Sequence, residues 1–372
     1  MSEKTVITQL FKQHGLSKAT CTAVFNRIMR DVSRGCNLSE RRAKQAMVLL
    51  MSGYLHEAHI GLFLVAMHVK GETTQEIAAF AMIMRAFAAS VYDPRTKKRV
   101  VTIDSCGTGG GTVSTFNIST AVAFVLAAEG LSVAKHGNRA MTSRAGSADV
   151  LEACGLNMTL TPHQVGKCID KVGIGFLFAP HFHKATRFVQ PVRKQLTHKT
   201  FFNILGPLTN PTAPAYQVIG VYAPQLTAAM AHVLKRLGVK RAMVVHGGST
   251  RKGESLDEIS LLGPTIISEV KNKRIRNFTF DPKRYGFRYC KASDLQGGSA
   301  KQNATILKRI LAGKEKGPKR DIVVINAAAA LLVAGRVNGF AHGLQRADEL
   351  IGTGLPYQKL EELVEYSHKI AK

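Results

Sequence analysis

The sequence predicts an α/β protein with a small all-helical N-terminal domain and a larger α/β domain, whose mostly parallel central sheet is flanked by helices. Two observations predict this fold class. Over the first hundred residues, apolar positions recur at three- and four-residue spacing, which is typical of amphipathic helices. After residue 98, short apolar runs alternate with helical segments, which is typical of βαβ units with parallel strands.

Three helices are predicted in the N-terminal part. The segment 39–51 begins with a capping Ser39 and continues with apolar residues at helical spacing. The segments 56–72 and 73–88 repeat this pattern, and the second opens with threonines followed by Glu76, as a capping box does. This region is therefore predicted to be entirely helical.

The rest of the chain repeats a strand followed by a turn. Six segments predict strands: RVVTIDS (99–105), LSVAKHGN (131–138), GIGFLFAP (173–180), AYQVIGVYAP (215–224), RAMVVHGG (241–248) and DIVVINAA (321–328). Helices are predicted between them at 119–130 and 226–238, and closing helices at 340–369. Functional loops are expected at the carboxyl ends of the parallel strands.

Composition excludes several classes of protein. With 45% hydrophobic and 20% charged residues the chain is typical of globular proteins, and its apolar runs are too short to span a bilayer. The polar, charged N-terminus predicts no secretory signal. The six cysteines are scattered and form no CxxC pair, which predicts reduced thiols in a cytoplasmic protein without a zinc knuckle.

The net charge of +26 raises the question of nucleic-acid binding. The basic clusters at 95–99, 271–276 and 314–320 lie in polar, turn-like segments without interleaved aromatic residues. High charge also serves solubility. We therefore do not favour nucleic acid as a partner.

The stretch GTGGG, residues 107–111, follows the first predicted strand. Behind it, Asn117, Ser119 and Thr120 open a helix. Free backbone amides and the positive end of a helix dipole form an anion site, most naturally for phosphate. A tight turn packed under a neighbouring helix is the alternative for the glycines alone.

A second loop, KHGNR at 135–139, follows the next strand. Lys135 supplies a point charge for phosphate, and Asn138 offers a donor and an acceptor to a small ligand. The alternative is a solvated turn, which a further Gly-Ser loop leading to Asp149 makes less favourable.

Two further segments carry charge. The adjacent carboxylates Asp257 and Glu258 suit a magnesium ion that bridges to phosphate oxygens, although acidic pairs also cap turns. Arg187 and Arg193 lie on a helical segment and suit a carboxylate, whereas His181 and His183 are expected to pack. Together the loops predict a phosphorylated ligand, a divalent cation and a carboxylated substrate, in a reaction driven by positioning and charge neutralisation.

Chained motifs give the sequence a family resemblance from about Leu38 onwards. They are KGETTQEIA (70–78), GTGG with TFNIST (107–120), KHGNRAMTSRAGSADVLE (135–152), FLFAP (176–180), PVR (191–193), FNILGPLTNP (202–211), LDEIS (256–260) and NAAAALLVAG (326–335). In this order they resemble the anthranilate phosphoribosyltransferase family. The resemblance implies transfer of a phosphoribosyl group from phosphoribosyl pyrophosphate to anthranilate in tryptophan biosynthesis, with Mg²⁺, in a homodimer formed through the helical part. It also implies a helical domain of residues 1–100 joined by about 183–200, and an α/β domain of 101–182 and 201–372.

The resemblance assigns roles by position. Phosphoribosyl pyrophosphate would be held by Gly107, Gly110, Gly111, Thr115, Asn117, Ser119, Thr120, Lys135 and Ser147. Anthranilate would be held by Gly107, His136, Asn138 and Arg193, and the metal by Ser119, Asp257 and Glu258. Lys135, Asn138 and Arg193 would be the catalytic residues.

One position departs from the family pattern. The glycine loop of the family usually ends in aspartate, where this chain has Gly111. Our hypothesis is that Gly111 changes the metal dependence and does not abolish activity. Smaller departures are Lys184 in place of proline and the long basic loop RKGES ahead of Asp257.

Two alternatives stay open at this point. One is a pyrimidine nucleoside phosphorylase, which shares the architecture and a glycine-rich phosphate loop. The other is a relative that has lost catalysis and binds nucleic acid through its basic surface. The intact acidic pair, Asn138 and Arg193 favour the transferase over both.

Overall fold

The computed structural model describes residues 3–92, 100–140 and 144–371. These residues form two compact units. One contains Met1–Ala89 and Pro180–Pro211, and the other contains Ser90–Ala179 and Thr212–Lys372. The basic cluster at 95–99 lies outside the described residues.

The first unit is helical, as its apolar periodicity predicts. Its N-terminal helices are α1 (Glu3–Gln13), α2 (Cys21–Ser33), α3 (Glu40–Ser52), α4 (Glu57–Lys70) and α5 (Thr74–Phe87). The predicted caps are confirmed: the Ser39 side chain accepts a hydrogen bond from Arg42 N, and Thr73 and Glu76 form a capping box at α5. The rings of Phe63, Phe80 and Phe201 meet in the core of this unit.

The second unit is built on a seven-stranded sheet. Its strands are β1 (Thr102–Gly107), β2 (Ser132–Gly137), β3 (Ile174–Phe178), β4 (Tyr216–Gly220), β5 (Arg241–Gly247), β6 (Thr265–Lys271) and β7 (Arg274–Phe280). The strand order is β3-β2-β1-β4-β5-β6-β7. The first five strands are parallel and the last two pair antiparallel, so the prediction of a mostly parallel sheet is confirmed.

Further helices follow along the chain. They are α6 (Ile118–Ala128), α7 (Ser147–Ala153), α8 (Pro162–Val172), α9 (Ala179–Phe182), α10 (Gln190–Gln195), α11 (Phe202–Leu205), α12 (Leu226–Arg236), α13 (Ala300–Leu311), α14 (Pro318–Val333), α15 (Phe340–Gly352) and α16 (Leu355–Ala371). Of these, α10 and α11 belong to the helical unit. None of the helices in the described ranges combines the length and the apolar character needed to cross a membrane.

The prediction of a strand at 321–328 is wrong, because these residues lie inside α14. Pro318 stands at the start of this helix, where its missing N–H costs nothing, and the following alanines have the highest helix propensity. The helix is buried on nearly all sides, which hides the helical period that would have identified it.

The hairpin of β6 and β7 was not predicted. Its turn falls in the basic cluster 271–276, which the sequence indicated to be turn-like throughout. Asn272 and Lys273 both have positive φ, as the tight turn of a two-residue hairpin requires. The Arg276 guanidinium lies 5.3 Å from the ring centroid of Phe278, an aromatic residue that follows the cluster on β7.

Candidate active site

The direction in which successive strands are added to the sheet reverses between β1 and β4. The order runs β1-β2-β3 to one side and β4-β5 to the other, and such a point opens a crevice outside the carboxyl ends of the strands. Gly107 and Gly220 end these two strands and are register partners. Both predicted phosphate loops and the acidic pair follow β1, β2 or β5. We therefore take this edge of the sheet as the candidate site.

The acidic loop lies directly against the glycines at this point. A β-carbon on Gly107 would overlap the Asp257 carboxylate, and one on Gly220 would overlap the Asp257 carbonyl group. The Gly109 amide donates a hydrogen bond of 2.8 Å to Asp257 Oδ2. Because Gly107 and Gly220 have no side chains, the acidic loop can pack directly against them. The same lack of side chains suits a backbone that binds an anion.

Reciprocal hydrogen bonds join the glycine loop to the acidic loop. Thr112 N donates to Ser255 O at 3.1 Å, and Ser255 N donates to Thr112 Oγ1 at 2.8 Å. A β-carbon on Gly111 would lie 3.1 Å from Ser255 O and 3.4 Å from Asp257 Oδ1. A side chain at position 111 would therefore meet the acidic pair.

Lys135 is buried beneath these loops. Its Nζ donates to Ser105 O at 2.7 Å and to Ser119 Oγ at 3.3 Å. Burial and the neighbouring Asp257 charge raise the pKa of the Glu258 carboxyl, while the Lys135 charge and a hydrogen bond from the Ser119 amide oppose the rise. Burial also raises the pKa of Asp257. The structure thus brings together three predicted elements: the lysine, the helix start and the acidic pair.

The acidic pair fits a hard divalent cation. Burial raises the pKa values of both adjacent carboxylates. This shows that the positive charge around them does not compensate for their loss of hydration. Their oxygens are the ligands that Mg²⁺ prefers. Within the described ranges, no group of three or more His, Cys, Asp or Glu residues gathers to hold a metal. Phosphate oxygens and water would complete the coordination, as is usual for Mg²⁺.

The side chain of Asn117 is oriented from two directions at the start of α6. Its Nδ2 donates to Ala145 O at 3.1 Å, and its Oδ1 accepts from Asn303 Nδ2 at 3.0 Å. Asn303 is itself buried on α13 and accepts from Gly298 N at 2.7 Å. The amide of Asn117 is thereby held in one orientation.

Three further predicted phosphate-binding residues, Thr115, Thr120 and Ser147, lie in the α/β unit. Thr115 forms an isolated bridge with Gln296, and Thr120 is buried in the first turn of α6. Ser147 opens α7, and a β-carbon on Gly137 would overlap its hydroxyl group. Gly137 is therefore required for α7 to begin at the end of β2.

Two predicted anthranilate-binding residues, His136 and Asn138, flank Gly137 at the end of β2. His136 is buried, and its amide donates to Asp104 Oδ1 at 3.4 Å. Asn138 is exposed, and its Oδ1 accepts from Arg139 N at 2.8 Å. A solvent-facing amide beside a buried histidine leaves Asn138 accessible to a ligand.

Arg193, the other predicted anthranilate residue, belongs to the helical unit. It lies on α10, where its guanidinium stacks on Phe202 at 4.9 Å and donates to Gln190 Oε1 at 3.2 Å. Partial burial lowers its pKa, and the side chain stays cationic at neutral pH. In the same unit burial lowers the pKa of His183 to about 4, in agreement with the predicted packing role.

Sequence reasoning missed three residues that shape this site. Gly220 gives room to the acidic loop, Asn303 orients Asn117, and Asn326 on α14 bonds the backbone next to the acidic pair. Gly220 could have been found as a glycine at the end of a predicted strand. Asn326 opens the motif NAAAALLVAG, but this motif gave no sign of a role at the acidic pair, and Asn303 lies among polar residues of α13 without a local signal.

The matching family profiles define the class of protein. Residues 28–88 match the helical bundle domain of a glycosyl transferase family, and residues 99–357 match its a/b domain. An anthranilate phosphoribosyltransferase of Acetivibrio thermocellus is 49% identical over 334 residues, which cover 90% of this chain and 94% of the relative. The chain belongs to the anthranilate phosphoribosyltransferase family.

Solved structures agree with this assignment. Anthranilate phosphoribosyltransferase from Thermus thermophilus is 39% identical with a TM-score of 0.84, and the match covers 92% of this chain and 99% of that one. The Saccharomyces cerevisiae enzyme, solved in complex with PRPP and Mg, is 26% identical with a TM-score of 0.81, covering 95% and 99%. These matches favour the transferase over a pyrimidine nucleoside phosphorylase or an inactive nucleic-acid-binding relative.

Proposed function

We propose that the chain transfers the phosphoribosyl group of phosphoribosyl pyrophosphate to the amino group of anthranilate and releases pyrophosphate, with Mg²⁺ as its metal. One observation carries the proposal. The glycine loop, buried Lys135 and the Asp257–Glu258 pair converge at the carboxyl ends of β1 and β2. Amides, an ammonium group and carboxylates at one place suit a metal–pyrophosphate ligand.

The chain's own groups stabilise the leaving group. As the bond between ribose C1 and the pyrophosphate oxygen breaks, negative charge develops on pyrophosphate and positive charge on the ribose. In our proposal the negative charge is stabilised by the predicted phosphate-binding residues: Gly107, Gly110, Gly111, Thr115, Asn117, Ser119, Thr120, Lys135 and Ser147. Fixed donors aimed at developing charge need no reorganisation during the reaction. Mg²⁺ held by Ser119, Asp257 and Glu258 would neutralise part of the pyrophosphate charge when bound.

The nucleophile needs orientation more than activation. The amino group of anthranilate is neutral at pH 7, so no strong base is required to free its lone pair. In our proposal Arg193 pairs with the anthranilate carboxylate, and Gly107, His136 and Asn138 are the further residues that the family resemblance assigns to anthranilate. Holding the amine in line with C1 then supplies most of the remaining rate enhancement.

The proposal is tested by following the loss of anthranilate fluorescence when phosphoribosyl pyrophosphate and Mg²⁺ are added. The chain contains no tryptophan, so its own emission will not obscure the signal. We expect Arg193→Ala to lower kcat/KM for anthranilate about 100-fold, because a charged partner of the carboxylate is removed. Arg187→Ala, an exposed arginine of the same segment, is the matched control. No decay with the folded, unaltered chain would refute the proposed function.

Gly111 gives a second prediction. An aspartate here would place a third carboxylate beside Asp257, since a β-carbon at this position already faces the acidic loop. We expect Gly111→Asp to lower the half-saturating Mg²⁺ concentration about tenfold, with activity retained in both forms. Gly111→Asn, of the same shape without the charge, should not show the shift. Superimposable magnesium titrations of the unaltered chain and Gly111→Asp would contradict the hypothesis.

We also propose that the enzyme is a homodimer formed through its helical unit. The support is an apolar stripe on α4, where Leu62, Val65 and Val69 lie three and four residues apart and are exposed by 56%, 37% and 80%. Exposed apolar residues at helical spacing are typical of a protein–protein interface. The cytoplasmic location stays a prediction from the scattered, unpaired cysteines.

We expect Leu62→Lys combined with Val69→Lys to convert the dimer to a monomer, because two ammonium groups would be buried in the contact. Light scattering after gel filtration measures the mass directly. Leu355→Lys, which alters an exposed leucine of the α/β unit, controls for the added charge. A double variant that keeps the dimeric mass would exclude this face of α4 as the interface.

A further inference from the structure

The motif NAAAALLVAG has no role in the proposed mechanism, yet it contains a buried polar residue. Asn326 is 1% exposed and lies in α14 among alanine, valine and leucine residues. Burying an amide in apolar surroundings is unfavourable unless its hydrogen bonds are made. The partners of this amide therefore indicate what it does.

The Asn326 side-chain amide bonds both the N–H and the C=O of one residue in the acidic loop, Ile259. Its Oδ1 accepts from Ile259 N at 2.9 Å, and its Nδ2 donates to Ile259 O at 2.9 Å. The same Nδ2 donates to Ile322 O, one turn earlier in α14, at 2.8 Å. The side chain is thus tied to its own helix and to the residue directly after Glu258.

A second pair of bonds holds the loop on the other side of the acidic pair. Leu256 N donates to Gly247 O, and Gly247 N donates to Leu256 O, both at 2.9 Å. Asp257 and Glu258 therefore stand between two fixed points, the end of β5 and the side chain of Asn326. Outside regular secondary structure, the backbone groups of such a loop depend on partners of this kind.

Without such restraints, the loop that carries the acidic pair is expected to shift. The two carboxylates are adjacent in sequence, lie outside helices and strands, and repel one another when both are charged. A loop free to shift would separate them or turn them to solvent. A long, buried helix is a rigid support against this movement.

We infer that Asn326 is a positioning residue that fixes the Asp257–Glu258 pair for metal binding. Its side-chain hydrogen bonds go to Ile259 and Ile322, so it acts through the Ile259 backbone. The inference rests on the proposed function, in which this pair binds Mg²⁺ at the pyrophosphate. Groups that orient metal ligands commonly change metal affinity by 10- to 100-fold when they are removed.

The test compares Asn326→Ala with Thr265→Val. The Thr265 hydroxyl accepts from Ser260 N at 2.9 Å, so this control removes a buried bond to the same loop, one residue beyond Ile259. For each protein we would measure the half-saturating Mg²⁺ concentration, kcat, KM for anthranilate and the urea midpoint. We expect Asn326→Ala to raise the half-saturating Mg²⁺ concentration at least tenfold with KM for anthranilate unchanged. Thr265→Val should lower the urea midpoint and leave the magnesium value within about twofold.

Asn326→Leu serves as the second variant. Leucine has a similar branched shape, but it offers Ile259 neither an acceptor nor a donor, so the magnesium shift should persist in a folded protein. Equal magnesium values in Asn326→Leu and the unaltered chain, or equal shifts in Asn326→Ala and Thr265→Val, would overturn the inference.

Binding of Mn²⁺ in the presence of phosphoribosyl pyrophosphate, followed by electron paramagnetic resonance, separates this inference from the proposed function. An unaltered chain without transferase activity contradicts the function. Weaker Mn²⁺ binding by the Asn326 variants supports the positioning role whatever the activity, and unchanged binding overturns it.

Discussion

Glu258→Gln is expected to lower kcat/KM by about 10²- to 10³-fold while stabilising the metal-free protein. The loss follows from removing a charged ligand from the site that neutralises pyrophosphate. The gain in stability follows from the raised pKa of the Glu258 carboxyl. Above the ordinary glutamate pKa the folded state binds more protons than the unfolded state, so stability falls as the pH rises towards the raised pKa. Glutamine carries no charge, so its burial does not lower the stability as the pH rises. Its side-chain oxygen can still accept a hydrogen bond from the Ser119 amide.

Two measurements check this result. The transferase assay gives the activity, and thermal unfolding between pH 5 and 8 with a chelator gives the stability. The unfolding temperature of the unaltered chain should fall more steeply with pH than that of Glu258→Gln. Glu254→Gln is the control, because Glu254 lies in the same loop and its carboxylate accepts a hydrogen bond from Ser249 Oγ at 2.9 Å. Activity within threefold of the unaltered chain would place the metal elsewhere.

The second large effect is expected on stability, from Glu76→Ala in the helical unit. The Glu76 carboxylate is fully buried and accepts from Leu38 N, Thr73 N and Lys70 Nζ at 2.7–2.9 Å. The Lys70 side chain is 2% exposed, so removal of the glutamate leaves an ammonium group buried without its counter-charge. Breaking a buried pair in this way costs about 3–5 kcal/mol.

Urea unfolding measures this cost, with Glu40→Ala as the control. Glu40 pairs with Lys44 one turn along α3 and is half exposed, and such surface pairs contribute only about 0.3–0.5 kcal/mol. Lys70→Met should cost less than Glu76→Ala, because the carboxylate keeps its backbone donors. A loss below about 1 kcal/mol in Glu76→Ala would mean that water reaches the lysine once the glutamate is gone.

Much of the fold could be predicted because its signals are local. Capping residues at Ser39 and Thr73 and the alternation of apolar runs with helices depend on neighbours in sequence. The wrong strand at 321–328 shows the limit of this approach. A short run of β-branched residues is typical of both a buried strand and a buried helix, and only the length of α14 separates them. The hairpin of β6 and β7 was missed because its second strand is mostly exposed and carries no clear apolar alternation.

The candidate site could be predicted as far as its loops follow parallel strands, since the carboxyl ends of such strands share one edge. The residues that hold these loops in place could not be predicted from the sequence. Asn326 is 67 residues from Ile259 and Asn303 is 186 residues from Asn117, so only the packing of helices brings them together. The departure at Gly111 could be read from the sequence, but its proximity to Asp257 required the structure.

The basic residues of the β6–β7 hairpin lie at one edge of the sheet. Strand β7 ends the sheet, and an end strand is a template on which another chain can add. Arg274 and Arg276 lie exposed along it, and Lys273 projects from its turn. A second molecule adding there would bring like charges within about 5 Å of one another. The positive charge thus disfavours edge-to-edge association of two molecules through this strand.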